Sequence, residues 1–397
     1  MRILQVISSF PPAFAYGGPA IGAYNVSKEL VKRGHEVTVY TTDVQDKNSR
    51  YKFEKNPIWL DGIEVYHFKN ISNSLASNFH ISCAPGMALE LKKSAKKFDI
   101  IHCHEYRSFE ATFAKHYSKK FKVPFILQPH GSITRLNKVM SKFIFDIIVG
   151  FSIIKYANTI IATSKFESKF YSSVLSTINE EKIIHIPNGI DLENYSNLPK
   201  KGSFKRKNMI EENDKIILFL SRIHEIKGGD LLLEAFNELK KEIKNVKLVI
   251  AGPDDGFLNE LISLTARLGI ENDVLFPGPL YGSNKLEAYV DADIFVLPSK
   301  YESFGSVVLE AILCDNPVVV TDVCGVTEWL GDSVYVIKPE KDQIKNALLE
   351  ILSDSRLYEK LTAESKHLVT AQLGWDNVLS QFEKVYFTMS LKKHDVT

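Results

Sequence analysis

The sequence predicts an α/β protein made of two Rossmann-like, doubly wound domains that face a central cleft. Three observations predict this fold class. The chain has 397 residues, which is too long for one ordinary hydrophobic core. Short apolar segments alternate with segments of helical periodicity, the pattern of a parallel sheet covered by helices. The alternation restarts after Pro187-Asn188-Gly189, a turn signal, so each half is expected to contain its own sheet.

The first half begins with an apolar strand at 2–7. After a loop rich in Pro and Gly, the periodicity predicts a helix over 21–33 that stops at Gly34. The further strands predicted in this half are 36–40, 99–102, 125–128, 159–162 and 182–186. Those at 99–102, 125–128 and 159–162 are short apolar segments that end in polar residues. Ligands of such sheets bind at the carboxyl ends of the strands, so candidate site residues are sought there.

The second half follows a polar, lysine-rich segment, 195–214, which is typical of an interdomain linker. A helix is predicted at 229–240 and a last one from Trp375 to about Ser390. The strands predicted in this half are 215–220, 246–251, 274–276, 294–297 and 317–321. We therefore assign residues 1–195, joined by the C-terminal helix 375–397, to one domain and residues 196–374 to the other.

Composition indicates a globular, soluble chain with 45% hydrophobic and 24% charged residues. The net charge of +1 hides an asymmetry between the halves. Residues 1–190 carry 25 Lys or Arg and 15 Asp or Glu, a balance of +10; residues 191–397 carry 24 and 33, a balance of −9. Either the first half faces something anionic, or the halves differ by chance on solvated surfaces.

The cysteines and the apolar runs bear on the compartment. Four cysteines lack CxxC spacing, which favours a reducing compartment over a disulfide framework or a zinc site: Cys83, Cys103, Cys314 and Cys324. The apolar N-terminus ends at Ser8-Ser9 and is too short for a signal peptide. The longest apolar run, 143–154, contains Asp146 and Gly150 and does not reach the ~20 residues of a membrane span. It is either a core helix or a helix that lies on a membrane surface or a partner.

Two glutamates, Glu302 and Glu310, frame a turn and a helix after the predicted strand 293–298. Ser303, Phe304 and Gly305 lead into the helix, and Glu310 lies on its second turn. A turn that opens a helix offers backbone N–H groups and a positive dipole end to an anion. Carboxylates beside it accept hydrogen bonds from hydroxyl groups. Phosphate next to hydroxyl groups is the chemistry of a sugar nucleotide.

Arg222 and Lys227 lie on the loop after the first strand of the second half, beside Gly228-Gly229. A planar guanidinium and an ammonium at the ligand end of a sheet suit a diphosphate. They would stabilise the negative charge that grows on a departing nucleoside diphosphate. Two unrelated surface cations are the simpler explanation, but their position beside the glycines favours a functional role.

In the first half, Gly17-Gly18 precedes the first helix and His130-Gly131 ends the strand 125–128. Paired glycines let the backbone approach a ligand closely. They do not form the GxGxxG dinucleotide fingerprint, which argues against an oxidoreductase. His130 is well placed to reach a ligand, although a lone histidine is more often structural. Either assignment stays open from these residues alone.

One pair of histidines and one pair of aspartates have the spacing of metal ligands. His102 and His104 stand next to Glu105 but lack a third ligand of clear geometry. Asp291 and Asp293 precede the strand 294–297, at the end away from the ligand edge, and Asp291 is expected to end the preceding helix. We therefore predict no metal site.

These motifs together resemble glycosyltransferase family 4, the large group of retaining transferases with the GT-B fold. The residues that carry the resemblance run in family order along nearly the whole chain: Gly17-Gly18, His130-Gly131, Pro187-Asn188-Gly189-Ile190-Asp191, Arg222 with Lys227-Gly228, and Glu302 through Glu310. The pair of glutamates with Arg222 and Lys227 is the specific part. The sequence departs from the family at Cys314-Asp315 and at Cys324-Gly325, near the expected donor pocket, which bears on sugar preference.

The resemblance implies a role for each matched residue. Arg222 and Lys227 would hold the donor diphosphate, Glu302 the sugar hydroxyls, and Glu310 the nucleotide ribose. The remaining matched groups would contact the donor: His130 near the sugar, Gly17 and Gly18 at the diphosphate, and the backbone N–H groups of Phe304, Gly305 and Ser306 at sugar and phosphate. The second domain would thus bind the nucleotide sugar and the first the acceptor.

The implied reaction moves a sugar from a nucleotide sugar to a hydroxyl group with anomeric retention and without a metal or other cofactor. We expect a lipid-linked or saccharide acceptor in polysaccharide or glycan assembly. Seven lysines of the first half would attract an anionic membrane: Lys92, Lys93, Lys96 and Lys97, expected on one helix, with Lys119, Lys120 and Lys122. The expected location is cytoplasmic, with peripheral contact at the inner membrane face.

Three other functions remain to be compared. A GT-B-fold sugar-nucleotide epimerase or hydrolase would act without an acceptor. A non-catalytic sugar-nucleotide-binding protein would not need the intact set of Arg222, Lys227, Glu302 and Glu310. Nucleic-acid binding has only the basic first half in its favour, without interleaved aromatic residues.

Overall fold

The computed structural model describes residues 1–13, 18–45, 49–73, 82–133, 139–174 and 178–394. The chain forms two compact units: Met1–Asn188 with Asp376–Thr397, and Gly189–Trp375. Each unit contains a parallel sheet flanked by helices, so the predicted fold class of two Rossmann-like α/β domains is confirmed.

The sheet of the first unit has the strand order β3-β4-β2-β1-β5-β6-β7-β8, and only the β3–β4 pair is antiparallel among its described strands. Its strands are β1 Arg2–Val6, β2 Glu36–Thr42, β3 Ile58–Leu60, β4 Ile63–Phe68, β5 Ile100–His104, β6 Phe125–Gln128, β7 Thr159–Ala162 and β8 Ile183–His185. Its first six described helices are α1 Gly18–Lys32, α2 Pro85–Ser94, α3 Phe109–Phe121, α4 Val139–Phe145, α5 Phe151–Tyr156 and α6 Lys165–Val174.

The sheet of the second unit is parallel throughout its described strands, in the order β11-β10-β9-β12-β13-β14. Its strands are β9 Lys215–Leu220, β10 Val246–Ala251, β11 Val274–Gly278, β12 Ile294–Leu297, β13 Val318–Thr321 and β14 Tyr335–Ile337. Its helices are α7 Ser203–Lys207, α8 Gly229–Glu242, α9 Leu258–Leu268, α10 Gly282–Asp291, α11 Ser306–Leu313, α12 Thr327–Leu330, α13 Lys341–Ser353 and α14 Ser355–Leu368. The last helix, α15 Trp375–His394, is part of the first unit from Asp376 onwards.

Short turns of tighter or wider helix complete the two units. The 3₁₀ turns are Ala95–Lys97, Glu180–Lys182, Leu192–Tyr195, Glu225–Lys227, Glu271–Asp273 and Gly331–Ser333. The π turns are Asp146–Gly150 and Val369–Leu373.

The strands that sequence predicted agree with the observed ones to within two residues at either end. They were recognisable because parallel sheets are covered on both faces and their strands are continuous apolar runs. In β9, for example, Ile216 and Ile217 are fully buried. The hairpin β3–β4 was not predicted, although Asp61-Gly62 between its strands is a two-residue turn with positive φ at both positions.

Two expectations about helices and linkers were wrong. Lys92 and Lys93 lie in α2, but Lys96 and Lys97 lie in the following 3₁₀ turn, because the α-helix ends at Ser94. The segment 195–214 is part of the second unit and not a linker outside it. Its Phe204 is 3% exposed and packs in the core of that unit.

Each sheet has one place where the direction of winding reverses. In the first unit β1 lies between β2 and β5, and in the second β9 lies between β10 and β12. The loops that leave two such neighbouring strands go to opposite faces of the sheet and leave a crevice at the carboxyl ends, where ligands bind in doubly wound folds. The candidate site residues are therefore expected after β1 and β5, and after β9 and β12.

The apolar run 143–154 forms part of a helical segment, α4, the π turn 146–150 and α5, with two unlike faces. One face carries Asp146, which is fully buried and accepts two hydrogen bonds from Arg107 at 2.9 and 3.0 Å. The other face exposes an apolar stripe that repeats at helical spacing: Met140, Phe143, Ile144, Ile147 and Ile148, exposed by 43% to 72%. Within the described ranges, no helix is both long and apolar enough to cross a membrane.

Candidate functional site

The loop after β9 and the loop after β12 touch at the point where the second sheet reverses its winding. Gly228 has φ of +73°, and a Cβ atom added there would lie 2.1 Å from the carbonyl oxygen of Pro298. Only glycine allows both this left-handed conformation and this approach. Lys300 also donates its backbone N–H to the Ile226 carbonyl at 2.8 Å. The two loops are therefore held together by a close backbone approach at Gly228 and a backbone hydrogen bond from Lys300.

This contact brings Lys227 and Glu302 together as an ion pair. The Lys227 Nζ atom lies 2.5 Å from Glu302 Oε2, and the side chains are 9% and 17% exposed. Burial by itself would raise the pKa of Glu302. The charge and hydrogen bond of Lys227, a hydrogen bond from the Phe304 backbone and the charge of Arg222 outweigh burial, so the pKa of Glu302 lies below its ordinary value. Glu302 is thus ionised at neutral pH.

The turn after Glu302 leads directly into α11. Phe304 is 2% exposed, and its carbonyl accepts hydrogen bonds from the Val326 backbone at 2.9 Å and from Cys324 Sγ at 3.1 Å. Gly305 has φ of +92°, and an added Cβ would lie 2.9 Å from Cys324 Sγ. Ser306 is the first residue of α11, and Gly305, at the N-cap position, has no side chain to cap that end. The first turn of α11 carries backbone N–H groups and the positive end of the helix dipole.

Glu310 lies on the second turn of α11, as predicted, and is held by helix α10. Its Oε1 atom accepts from Lys285 at 3.0 Å and its Oε2 atom from the Tyr289 hydroxyl at 2.9 Å. A carboxylate has about four lone-pair positions, so both oxygens keep capacity for further donors. Sequence reasoning missed Lys285 and Tyr289, whose spacing of four residues on one helix was the available signal.

Arg222 is the more exposed of the two cations predicted for this site. Its side chain is 54% exposed and pairs with Asp255, which is itself 45% exposed, at 2.5 Å. An ion pair so open to water is worth only about 0–1 kcal/mol, so an anionic ligand can displace Asp255 at little cost. Asp255 was not predicted, because it follows a different strand, β10, and no local pattern connects it to Arg222.

In the first unit, His130 follows β6 and adopts φ of +51°, with Gly131 next to it at +76°. Its Nε2 atom lies 2.9 Å from His104 Nδ1. Burial lowers the pKa of His130 to about 4, so the ring is neutral at pH 7. Gly18 is the first residue of α1, and an added Cβ would meet no atom within 4 Å. Gly17 lies outside the described residues.

The residues with metal-like spacing have other partners in the structure. The rings of His102 and His104 bind Tyr386, Gln5 and His130. Asp291 ends α10, as predicted, is fully buried and accepts the backbone N–H groups of Gly202 and Lys205. Asp293 accepts the backbone N–H of Ile216 at 2.9 Å, at the start of β9. Among the described residues, no group of three or more His, Cys, Asp or Glu is arranged to hold a metal ion.

The second unit thus brings six predicted residues around the carboxyl ends of β9 and β12: Arg222, Lys227, Glu302, Phe304, Gly305 and Ser306. Glu310 lies one helical turn further along α11. Chemically, this site combines two cations, two carboxylates and a helix N-terminus. His130 and Gly18 lie in the first unit, at the corresponding edge of the other sheet.

Family models match both halves of the chain. The model described as Glycosyltransferase Family 4 matches residues 16–194, and the model described as Glycosyl transferases group 1 matches residues 200–368. Together they span both candidate ligand edges.

Whole-length relatives and solved structures agree with these matches. An uncharacterized glycosyltransferase of Methanocaldococcus jannaschii is 30% identical, covering 97% of this chain and 98% of its own. An alpha-monoglucosyldiacylglycerol synthase of Streptococcus pneumoniae is 25% identical over 94% and 83%. The crystal structure of HepE from Anabaena, in complex with UDP and glucose, has a TM-score of 0.77 at 20% identity and covers 98% of this chain and 100% of HepE.

The Lys227→Met variant tests the ion pair. Because the pKa of Glu302 is lowered from 4.5, the pair contributes stability above pH 4.5 that is lost as the pH falls through the lowered pKa. Met leaves Glu302 buried and unpaired, so its pKa should rise and the variant should lose about 3 kcal/mol at pH 7. The loss should be smaller at pH 4, where Glu302 can be protonated. Urea unfolding at both pH values measures this.

Lys300→Met is the matched control, since Lys300 lies on the facing loop after β12 but pairs with Asp230 in a partly exposed ion pair. It should change stability by less than about 1 kcal/mol at either pH. An equal loss from both variants, or no dependence on pH for Lys227→Met, would contradict the buried pair.

Proposed function

The chain belongs to glycosyltransferase family 4, and we propose that it is a retaining enzyme that moves a sugar from a nucleotide-sugar donor to a hydroxyl group of the acceptor. The observation that carries the proposal is the Lys227–Glu302 pair beside the N-terminus of α11. A cation, a carboxylate and the positive end of a helix dipole at one switch point match the phosphate and hydroxyl groups of a nucleotide sugar. HepE, which shares the fold, was solved with UDP and glucose.

The two cations would hold the diphosphate in different ways. Lys227 is 8% exposed and fixed by Glu302, so it presents a positioned point charge. Arg222 is on the surface and would exchange Asp255 for phosphate, to which its planar fork can donate two hydrogen bonds. The cations and the dipole of α11 would neutralise the charge of the departing nucleoside diphosphate. We therefore propose that no metal is required.

The two glutamates would hold different parts of the donor. Glu302 stands at the mouth of the turn and would accept hydrogen bonds from hydroxyl groups of the sugar. Glu310, one turn along α11, would accept the ribose hydroxyls beside its bonds to Lys285 and Tyr289. Neither carboxylate is assigned as a nucleophile, because Glu302 is engaged by Lys227 and Glu310 is committed to α10.

The reaction proposed for this site breaks the bond between the anomeric carbon and the phosphate oxygen. The acceptor oxygen forms the new bond on the same face of the sugar, and the departing phosphate oxygen takes the acceptor proton. Arg222, Lys227 and α11 would stabilise the leaving group, and neutral His130 would contact the sugar from the first unit's ligand edge.

The acceptor we propose is a lipid-linked or saccharide hydroxyl used in polysaccharide or glycan assembly, with the enzyme at the cytoplasmic face of a membrane. The apolar stripe of α4, α5 and the π turn supports a membrane contact, since its five large side chains face water. Lys115, on the adjacent helix α3, binds Ser152 of α5 at 2.8 Å. Cations therefore border the stripe, and they continue with Lys119 and Lys120, which are exposed.

The basic surface extends to helix α2. Lys92 and Lys93 at its end, and Lys96 and Lys97 in the next turn, are all exposed. An apolar stripe bordered by cations matches an anionic lipid surface, in which apolar side chains enter the interface and lysines meet phosphate head groups. One whole-length relative is named for synthesis of a glycolipid.

Donor binding is expected to depend on one nucleotide. In a panel of UDP-, GDP- and ADP-sugars, the matching donor should raise the melting temperature, because a ligand that binds only the native state stabilises it by about 2.7 kcal/mol at 100 times Kd. Lys227→Ala should abolish the shift, measured against its own ligand-free melting temperature. Lys300→Ala should keep it. A full shift in the Lys227 variant would refute the phosphate assignment.

Retention should be visible in the product. With the matching donor, an alcohol acceptor and excess EDTA, proton NMR should show a glycoside with the anomeric configuration of the donor sugar. Without acceptor, the donor should persist. Rapid release of free sugar would indicate a hydrolase, and an isomerised donor an epimerase. An inverted product or a trapped covalent glycosyl-enzyme would overturn the proposed mechanism, and loss of activity in EDTA would overturn metal independence.

Membrane contact should require the apolar stripe. The wild-type protein should float with vesicles that contain phosphatidylglycerol, more weakly at high salt. Ile144→Ser with Ile148→Ser should reduce partitioning at least tenfold, since each buried isoleucine is worth about 1.5–3 kcal/mol. Ile262→Ser is the control, because Ile262 is 47% exposed on α9 of the other unit. Equal flotation of all three proteins, or none, would refute the surface.

A further inference from the structure

Histidine side chains form a hydrogen-bonded chain behind His130 in the first unit. His104, at the end of β5, is 1% exposed and lies between Gln5 of β1 and His130 after β6. Its Nε2 atom is 2.7 Å from Gln5 Oε1, and its Nδ1 atom is 2.9 Å from His130 Nε2. The rings of His104 and His130 are stacked, with centroids 5.2 Å apart. Such buried polar chains specify their own geometry when every member is satisfied.

The direction of each hydrogen bond follows from the chemistry of the groups. An amide oxygen only accepts, so the Nε2 atom of His104 must carry the proton that faces Gln5. A neutral imidazole has one donor and one acceptor, so His104 Nδ1 accepts. The contact between the two rings then requires a proton on His130 Nε2. His130 Nδ1 is left as a lone pair, and among the described residues it has no hydrogen-bond partner.

Tyr386 and His102 orient Gln5 at the end of this hydrogen-bonded chain that is far from His130. The Gln5 Nε2 atom lies 3.5 Å from the hydroxyl oxygen of Tyr386 on α15, and that hydroxyl lies 2.7 Å from His102 Nδ1. The amide nitrogen can only donate, so the Tyr386 hydroxyl accepts from Gln5 and has His102 Nδ1 as its second partner. This arrangement turns the amide oxygen of Gln5 towards His104. Tyr386 and His102 are fully buried, so water does not compete for these groups.

All three rings are neutral at physiological pH. Burial, together with His102 and His130, lowers the pKa of His104 well below its usual range. Burial lowers the pKa of His102 to about 3 and that of His130 to about 4. The nearby carboxyl group of Glu105 accepts a hydrogen bond from the Ser8 hydroxyl, and burial raises the pKa of Glu105. The variable that the surroundings control is therefore the position of the proton on each ring, and not the charge.

The backbone next to His130 is held from the other side. The N–H of Gly131 donates to Glu167 Oε1 at 2.6 Å. Glu167 is fully buried and also accepts from Thr163 and from Tyr171. His130 and Gly131 both have positive φ, a conformation that persists in non-glycine residues only where the surroundings enforce it. His104 fixes the ring and Glu167 fixes the turn that carries it.

We propose that His104 is a positioning residue that holds His130 with its proton on Nε2, so that Nδ1 accepts a hydrogen bond from a hydroxyl group of the bound sugar. The inference rests on the proposed function for the identity of the ligand. The placement of the protons does not rest on it. A substrate hydroxyl at this point must act as donor, so an analogue in which it is replaced by fluorine should react with a kcat about tenfold lower.

Nitrogen-15 NMR of histidine-labelled wild-type protein tests the placement directly, with the His130 signals assigned by comparison with His130→Gln. Between pH 6 and 8, His130 should show a protonated Nε2 and an unprotonated Nδ1, and should not titrate. A protonated Nδ1 would mean that the chain runs in the reverse direction and would overturn the proposal. This measurement needs no substrate and no variant of His104.

Two replacements of His104 separate positioning from packing. His104→Asn keeps an oxygen acceptor near the position of Nδ1 and should preserve the Nε2-protonated form of His130. His104→Leu removes the acceptor, so His130 should become a mixture of both tautomers, and kcat should fall about tenfold, the effect of one neutral hydrogen bond, with little change in KM. Asn should recover most of that loss. Equal spectra and equal kcat in Leu and Asn variants would contradict positioning.

His185→Leu is the matched control. His185 lies in β8 of the same sheet and bonds Ser168 at 3.0 Å, outside the chain of Gln5, His104 and His130. It should leave the His130 signals and kcat unchanged. If the wild-type protein has no transferase activity, the proposed function fails while the NMR result still decides the proton positions.

Discussion

The approach of Gly228 to the carbonyl of Pro298 is the constraint on which the second unit's site depends. No side chain fits there, so the loop after β9 passes directly against the end of β12. Lys227 is thereby turned inward, and a cation that is 8% exposed is stable only beside a carboxylate. Glu302 supplies that carboxylate and also binds the Phe304 backbone, which leads through Gly305 into α11. One steric contact thus orders an ion pair, a turn and a helix N-terminus.

The two units organise their ligand edges by different physics. The second unit uses opposite charges, whose attraction outweighs the cost of burial at Glu302. The first unit uses neutral groups in a directed chain from Gln5 through His104 to His130. The buried neutral groups position the lone pair of His130 Nδ1 without adding charge. The buried ions Lys227 and Glu302 instead create a local electrostatic field. A charged diphosphate and an uncharged sugar hydroxyl are the ligands that these two environments suit.

The helical segment made of α4, the π turn 146–150 and α5 has one buried face and one exposed face. Its inner face is anchored by the Arg107–Asp146 ion pair, with side chains 7% and 0% exposed. Its outer face leaves the apolar stripe in water, so these side chains add no burial energy until the stripe meets an apolar partner. The sequence left open whether 143–154 is a core helix or a helix that lies on a membrane surface or a partner. The structure shows one buried face, held by Arg107 and Asp146, and one exposed apolar face.

Local pattern in the sequence determined most of the strands and the motif residues, because apolar runs and glycine turns are properties of neighbouring residues. It did not reveal Asp255, Lys285, Tyr289 or Glu167, which reach the site residues from other strands and helices. It also gave no sign that His104 would set the proton on His130. Distances between residues far apart in the chain, and the burial that shifts their pKa values, exist only after folding, so the tertiary structure alone decided them.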